Sequence, residues 1–158
     1  MVKIALQFKA ELENLEKLYV DPETFTWWLQ LVCTNCREGT GKVHDVSLTH
    51  QIPCKIGHGH VHYSAKCKFC SKEQTIEIIP DSIKPYVKGD PLTKVVVFEC
   101  RGVEPSQFEP RDGWIAKAEN SSLVFNDIDL KEGDWAEYDE KAQEPVGIDS
   151  IESNFVRS

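Results

Sequence analysis

Apolar and polar residues alternate strictly at the start of the chain. Val2, Ile4, Leu6, Phe8, Ala10 and Leu12 take every second position, with Lys3, Gln7, Lys9 and Glu11 among those between. A period of two places successive side chains on opposite faces of an extended backbone, so residues 2–12 predict a β-strand with one buried face. Residues 24–32 repeat the device, with Phe25, Trp27, Leu29 and Leu31 on one face, and lead directly into Cys33. Val43, Val46 and Leu48 predict a short strand in residues 42–49, and Val61, Tyr63 and Ala65 alternate on the approach to Cys67. Residues 74–79 and 94–100 are β-branched and apolar and end at Pro80 and near Gly102, which marks them as strands.

Beyond Gly102 the alternation weakens. Pro105, Pro110 and Gly113 predict a loop, followed by strands in residues 113–118, 122–126 and 148–156. Residues 134–143 predict one short helix, with Asp134 as N-cap and Ala136, Glu137, Glu140, Lys141 and Ala142 behind it; Pro145 and Gly147 limit its length. The pattern as a whole predicts an all-β fold with at most one short helix, and the sequence carries no obvious internal repeat.

Composition adds limits rather than detail. The chain has 158 residues, 41% of them hydrophobic and 28% charged, which is enough apolar material for one independently folding unit. The opening segment has no unbroken apolar run, so it predicts neither signal peptide nor membrane anchor, and the expected setting is soluble and cytoplasmic. The net charge of −8 is carried by the C-terminal part: residues 1–100 hold 12 basic and 12 acidic side chains, residues 101–158 hold 6 and 14. That imbalance argues against nucleic acid and anionic membrane as partners and leaves a basic protein as the expected one.

Six cysteines in a reducing setting point to metal rather than disulfides. Cys33-Thr-Asn-Cys36 and Cys67-Lys-Phe-Cys70 are two C-x2-C units, each placing two thiolates on one side of an ion; two such turns complete the tetrahedral shell that zinc prefers. With four protein ligands there is no open position, so the expected cofactor is one structural Zn²⁺ held by Cys33, Cys36, Cys67 and Cys70. A redox dithiol of the thioredoxin type would need a βαβ context, which the strand pattern does not supply. Arg37, Lys66, Lys68 and Lys72 stand beside the ligands and would offset the charge of about −2 on a zinc tetrathiolate.

Three further features invite a functional reading. His58, His60 and His62 alternate, and on an extended strand they would share a face about 7 Å apart, a spacing able to hold a second metal; the flanking Gly57 and Gly59 favour an exposed, metal-free loop. Cys100 shares a strand face with Val96 and Phe98, and Arg101 beside it could activate a thiol nucleophile; burial as a small hydrophobe is the better-supported expectation. Cys54 follows Pro53 with no base nearby in sequence. Trp27, Trp28, Trp114 and Trp135 are expected in the core rather than as stacking platforms.

Several segments together resemble one family. Lys3-Ile-Ala-Leu-Gln, the two C-x2-C pairs, Ile76-Glu-Ile with Ile83-Lys-Pro-Tyr86, Phe98-Glu-Cys-Arg-Gly102 with Glu104-Pro105, and Asp134-Trp135 with the stretch from Tyr138 to Glu144 and Val146-Gly-Ile148 look like the eukaryotic CXXC motif-containing zinc-binding proteins, nearly end to end. The resemblance implies an all-β, two-lobed protein, sandwich- or barrel-like, in one domain over residues 1–158. Its zinc-bearing lobe would lie around residues 22–90, with the metal on Cys33, Cys36, Cys67 and Cys70. It implies no catalysis. The expected function is therefore a non-catalytic protein-interaction or adaptor module, monomeric and zinc-braced. The alternative is a zinc-braced thiol enzyme, sulfoxide-reductase-like, using Cys100.

Overall fold

The computed structural model describes residues 2–53 and 59–158. Its strands, in chain order, are Val2–Glu13 (β1), Leu15–Val20 (β2), Thr26–Cys33 (β3), Gly39–Ser47 (β4), Ile52–Pro53 (β5), His60–Val61 (β6), Tyr63–Lys66 (β7), Glu73–Ile78 (β8), Tyr86–Val87 (β9), Thr93–Arg101 (β10), Val103–Phe108 (β11), Trp114–Ala118 (β12), Val124–Ile128 (β13), Trp135–Asp139 (β14) and Glu144–Arg157 (β15). Among the described residues the sole helical element is a single 3-10 turn, Pro80–Ser82, so the all-β expectation holds. No helix among them is long and apolar enough to cross a membrane.

Every pairing is antiparallel. A six-stranded sheet runs β14-β15-β1-β10-β8-β7, a three-stranded sheet β11-β3-β4, a four-stranded sheet β13-β12-β2-β9, and β5 pairs with β6. The chain passes between sheets without long connections. β1 continues into β2 across Asn14, whose φ is 56°, so one nearly unbroken ribbon serves the six- and four-stranded sheets. Likewise β10 continues into β11 across Gly102, joining the six-stranded sheet to the three-stranded one.

The alternating positions bury as the period requires. Ile4, Leu6, Phe8, Ala10 and Leu12 of β1 all lie in the core, beside Val96 and Phe98 of the neighbouring β10 and together with Phe25, Trp27, Leu29 and Leu31 on and just before β3. The core centre is aromatic. Phe8 stacks on Trp114 at 5.2 Å between ring centroids, and Phe25 meets both Trp27 and Trp114 edge to face at 4.6 and 5.1 Å. Offset and edge-to-face contacts add to the burial of area itself. Trp27 and Trp114 are core residues as expected; Trp28 and Trp135 are half-buried, the first under the Arg111 guanidinium at 4.1 Å and the second against Phe125.

Residues 134–143 form no helix. β14 pairs with the start of β15, Trp135 opposite Ile148 and Asp139 opposite Glu144, so the segment is a hairpin. Its composition favours a helix, but the fully buried Asp139 dictates the turn. Its Oδ1 accepts hydrogen bonds from the Lys141 and Ala142 amides, each at 2.9 Å, and its Oδ2 accepts one from Ser121 Oγ at 2.6 Å. A short polar side chain bonding to the backbone two and three residues on closes a turn and competes with a helix. The expected loop after Gly102 is also corrected: Val103–Phe108 is a strand, with Pro105 opposite Leu31. β11 is an edge strand of its sheet, where a residue without an N–H donor costs nothing on the outward side.

Candidate metal centre

Both C-x2-C units are the turns of hairpins. Cys33 ends β3 and the turn returns to β4 at Gly39, opposite Val32; Cys67 follows β7 and the turn returns to β8 at Glu73, opposite Lys66. The two turns are built alike. The Arg37 amide donates to the Cys33 carbonyl at 3.0 Å and the Cys33 amide to the Glu38 carbonyl at 3.0 Å; the Ser71 amide donates to the Cys67 carbonyl and the Cys67 amide to the Lys72 carbonyl, both at 2.9 Å. Arg37 and Ser71 hold matching left-handed conformations, φ 67° and 63°.

The hairpins belong to different sheets and meet tip to tip. All four sulfur atoms lie within 4.8 Å of one another, with Cys33 Sγ 3.7 Å from Cys70 Sγ and Cys36 Sγ 3.6 Å from Cys67 Sγ. A regular tetrahedron with Zn–S bonds of about 2.3 Å has edges of about 3.8 Å, so the spacing suits that ion. Cys33 and Cys67 are buried and Cys36 and Cys70 half-buried, which leaves the centre at the surface edge of the core rather than inside it.

The surrounding amides polarise the sulfurs. Hydrogen bonds from the Cys36 and Asn35 amides bring the Cys33 thiol down to about 6 despite its burial. The Asn35 side chain, reaching across from the other turn, and the Lys72 amide lower Cys70. Against the pull of the Glu38 amide, Cys36 is pushed up to about 12 by burial and by the Cys67, Cys33 and Cys70 sulfurs. Four sulfurs this close cannot all ionise without a cation between them, and a soft dication meets that need. A bound ion would pin the three-stranded sheet to the six-stranded one at the point where Gly102 carries the chain across: the Thr34 amide of the first turn donates to the Gly102 carbonyl at 3.2 Å.

Other residues singled out by the sequence separate from this centre. His58 and Cys54 lie outside the described residues. His60 is exposed, whereas His62 is buried and its Nδ1 accepts a hydrogen bond from the Ile78 amide at 2.8 Å. The two therefore do not present a common face; His62 secures the entry to β7 against β8. Cys100 is 2% exposed, and burial, with the Glu104 and Glu99 carboxylates, pushes its thiol up to about 12. One contributor escaped sequence reasoning: Asn35, inside the first C-x2-C unit, whose cross-turn bond to sulfur depends on how the two hairpins meet.

The sequence profile of the eukaryotic CXXC motif-containing zinc-binding proteins matches residues 5–156. Among curated relatives, a Nematostella vectensis protein of the UPF0587 group is 45% identical over 99% of both chains, and the human CXXC motif containing zinc binding protein is 44% identical over 99% of both. The solved structure of C1orf123 superposes with a TM-score of 0.94 at 44% identity, covering 99% of each chain. A hypothetical protein from Plasmodium falciparum, at 23% identity and TM-score 0.87, shares the fold. With four cysteines positioned to hold one zinc ion and the match extending nearly end to end, the chain belongs to the eukaryotic CXXC motif-containing zinc-binding protein family.

Proposed function

We propose that the protein is a non-catalytic interaction module whose zinc ion braces the joint between two sheets. The closed sulfur tetrad carries this reading: with all four coordination positions supplied by cysteine, no site remains for substrate or activated water. The deeply buried Cys100 is poorly placed as a nucleophile, since the thiolate and not the thiol attacks.

The surface offered to a partner is the β14–β15 hairpin. It ends the six-stranded sheet at the side away from β7 and the zinc, and it exposes Tyr138, which is 50% exposed, with Glu137 beside it in β14 and Glu140 in the turn. An aromatic ring amid carboxylates suits a basic protein surface. Cysteines gathered at a zinc site rather than paired in disulfides fit a reducing, cytoplasmic setting.

The test is affinity capture from cell extract with the zinc-loaded protein, a Tyr138→Ala/Glu137→Lys variant and a Cys67→Ser variant. The expected result is a basic protein retained by the native chain and lost with either variant. Turnover of methionine sulfoxide with dithiothreitol as reductant, abolished by Cys100→Ser, would overturn the reading in favour of a thiol enzyme.

A further inference from the structure

The zinc turns flank a cleft whose wall includes Cys67 but which extends beyond the metal site. It opens between the β3–β4 and β7–β8 hairpins and has a volume of about 320 Å³, at the lower end of the range of small-molecule sites. Its walls are the side chains of β4 and β7 that face one another where the two sheets diverge, with His44 and Tyr63 in edge-to-face contact at 5.3 Å. Phe69, at the tip of the second turn, is 68% exposed and lines the mouth. An aromatic residue held in solvent beside an apolar cleft is unusual for a chain whose other aromatic rings are mostly packed.

The charged groups in this cleft are predominantly cationic. Lys42, Lys66 and Lys68 line it, and Glu38 is the single carboxylate among the lining residues. His44, half-buried, contributes ring surface to the wall, and its Nε2 is closed off from solvent. Burial and the Lys42 and Lys68 ammonium groups, partly opposed by Asp45, hold the imidazole below its ordinary range.

We propose that the cleft binds a small amphipathic anion, an apolar body ending in a carboxylate or phosphate, with the anionic end held by Lys42 and Lys68 and the apolar body against Tyr63 and Phe69. The site lies at the zinc edge of the molecule, away from the β14–β15 hairpin, and neither site requires the other. The lysines can offer methylene stems to an apolar body and ammonium groups to its anionic end, and Phe69, exposed between Cys67 and Cys70, offers a ring beside them.

The zinc-loaded full-length protein is titrated with anilinonaphthalene sulfonate, and the dye is then displaced with decanoate, decanol or inorganic phosphate. The expected result is saturable binding to one equivalent, displacement by decanoate, at least about tenfold weaker displacement by decanol, and none by phosphate alone. Lys42 is exposed, so Lys42→Glu should leave zinc content and melting temperature unchanged while weakening decanoate by about tenfold or more; Lys94→Glu on β10 should not weaken it. Absence of saturable binding, equal displacement by decanol, or an undiminished affinity in Lys42→Glu would overturn the proposal. An acidic peptide displacing the dye more tightly than decanoate would assign the cleft to a protein partner and overturn it too.

Discussion

A methyl group on Gly102 would sit 2.3 Å from the carbonyl oxygen of Glu73, inside any permissible contact. Gly102 also has φ of 75°, a conformation that L side chains rarely adopt, and it occupies the crossover from β10 to β11 between the two zinc turns. Close approach to Glu73, which follows the second turn, and acceptance of the Thr34 amide in the first make it the backbone joint beneath the metal centre. Gly102→Ala must therefore push the two hairpins apart. The expected cost is about 2 kcal/mol or more, together with faster loss of zinc to a chelator, read by thermal melting and by competition with a chromogenic zinc dye. An unchanged zinc off-rate would show that the joint and the metal centre are uncoupled.

Ser71 offers the opposite sign. It holds φ of 63° with its amide bonded to the Cys67 carbonyl, a left-handed geometry that glycine adopts without a Cβ clash. Ser71→Gly is expected to raise stability by about 0.5–1 kcal/mol in denaturant melts while keeping zinc at one equivalent. A destabilised variant would mean that the Ser71 side chain carries an unrecognised contact.

Cys100 should behave as a packed hydrophobe. Its thiol is buried between sheets and lies 3.9 Å from the Phe98 carbonyl. Iodoacetamide at neutral pH, with peptide mapping by mass spectrometry, should leave Cys100 unmodified until denaturant is added. Rapid alkylation in the native protein would count against the non-catalytic reading.

Asp139 sets part of the acid limit. The Ser121 hydroxyl and the Ala142 and Lys141 amides hold its carboxyl below the ordinary carboxylate range, against the opposing effect of burial. Because its folded value is depressed, the stability it contributes is full above its unfolded value of about 4 and disappears as pH falls through the folded one. Asp139→Asn should thus flatten the decline of melting temperature below about pH 4 relative to the native chain. Asp139→Ala, which removes all three accepted hydrogen bonds, should lower the melting temperature by roughly 5 °C or more at neutral pH. If the Asn variant followed the native acid profile, other carboxylates would govern it.

What the sequence revealed depended on the range of the interaction. Strict alternation from Val2 to Leu12 and from Phe25 to Leu31 identified strands because the same burial acts at each second residue, and the observed strands match it closely. The alternation blurred at Leu15–Val20, where Leu15 and Leu18 fall three apart across a register shift, and that strand was not legible. Pro105 concealed β11 because a proline forbids an interior strand and permits an edge one, and edge position is not written in the local sequence.

By itself, the sequence determined the strand faces and the four cysteines that come together to hold an ion: period-two burial and the bite of a C-x2-C turn are local properties of a few neighbouring residues. The tertiary structure alone decided that residues 134–143 close a hairpin, since Ser121 and the facing strand outweigh helix preference there. It also decided that the zinc turns meet across two sheets beside a lysine-rimmed cleft, because Lys42 and Lys68, distant in sequence, come to line one cleft only when the hairpins close.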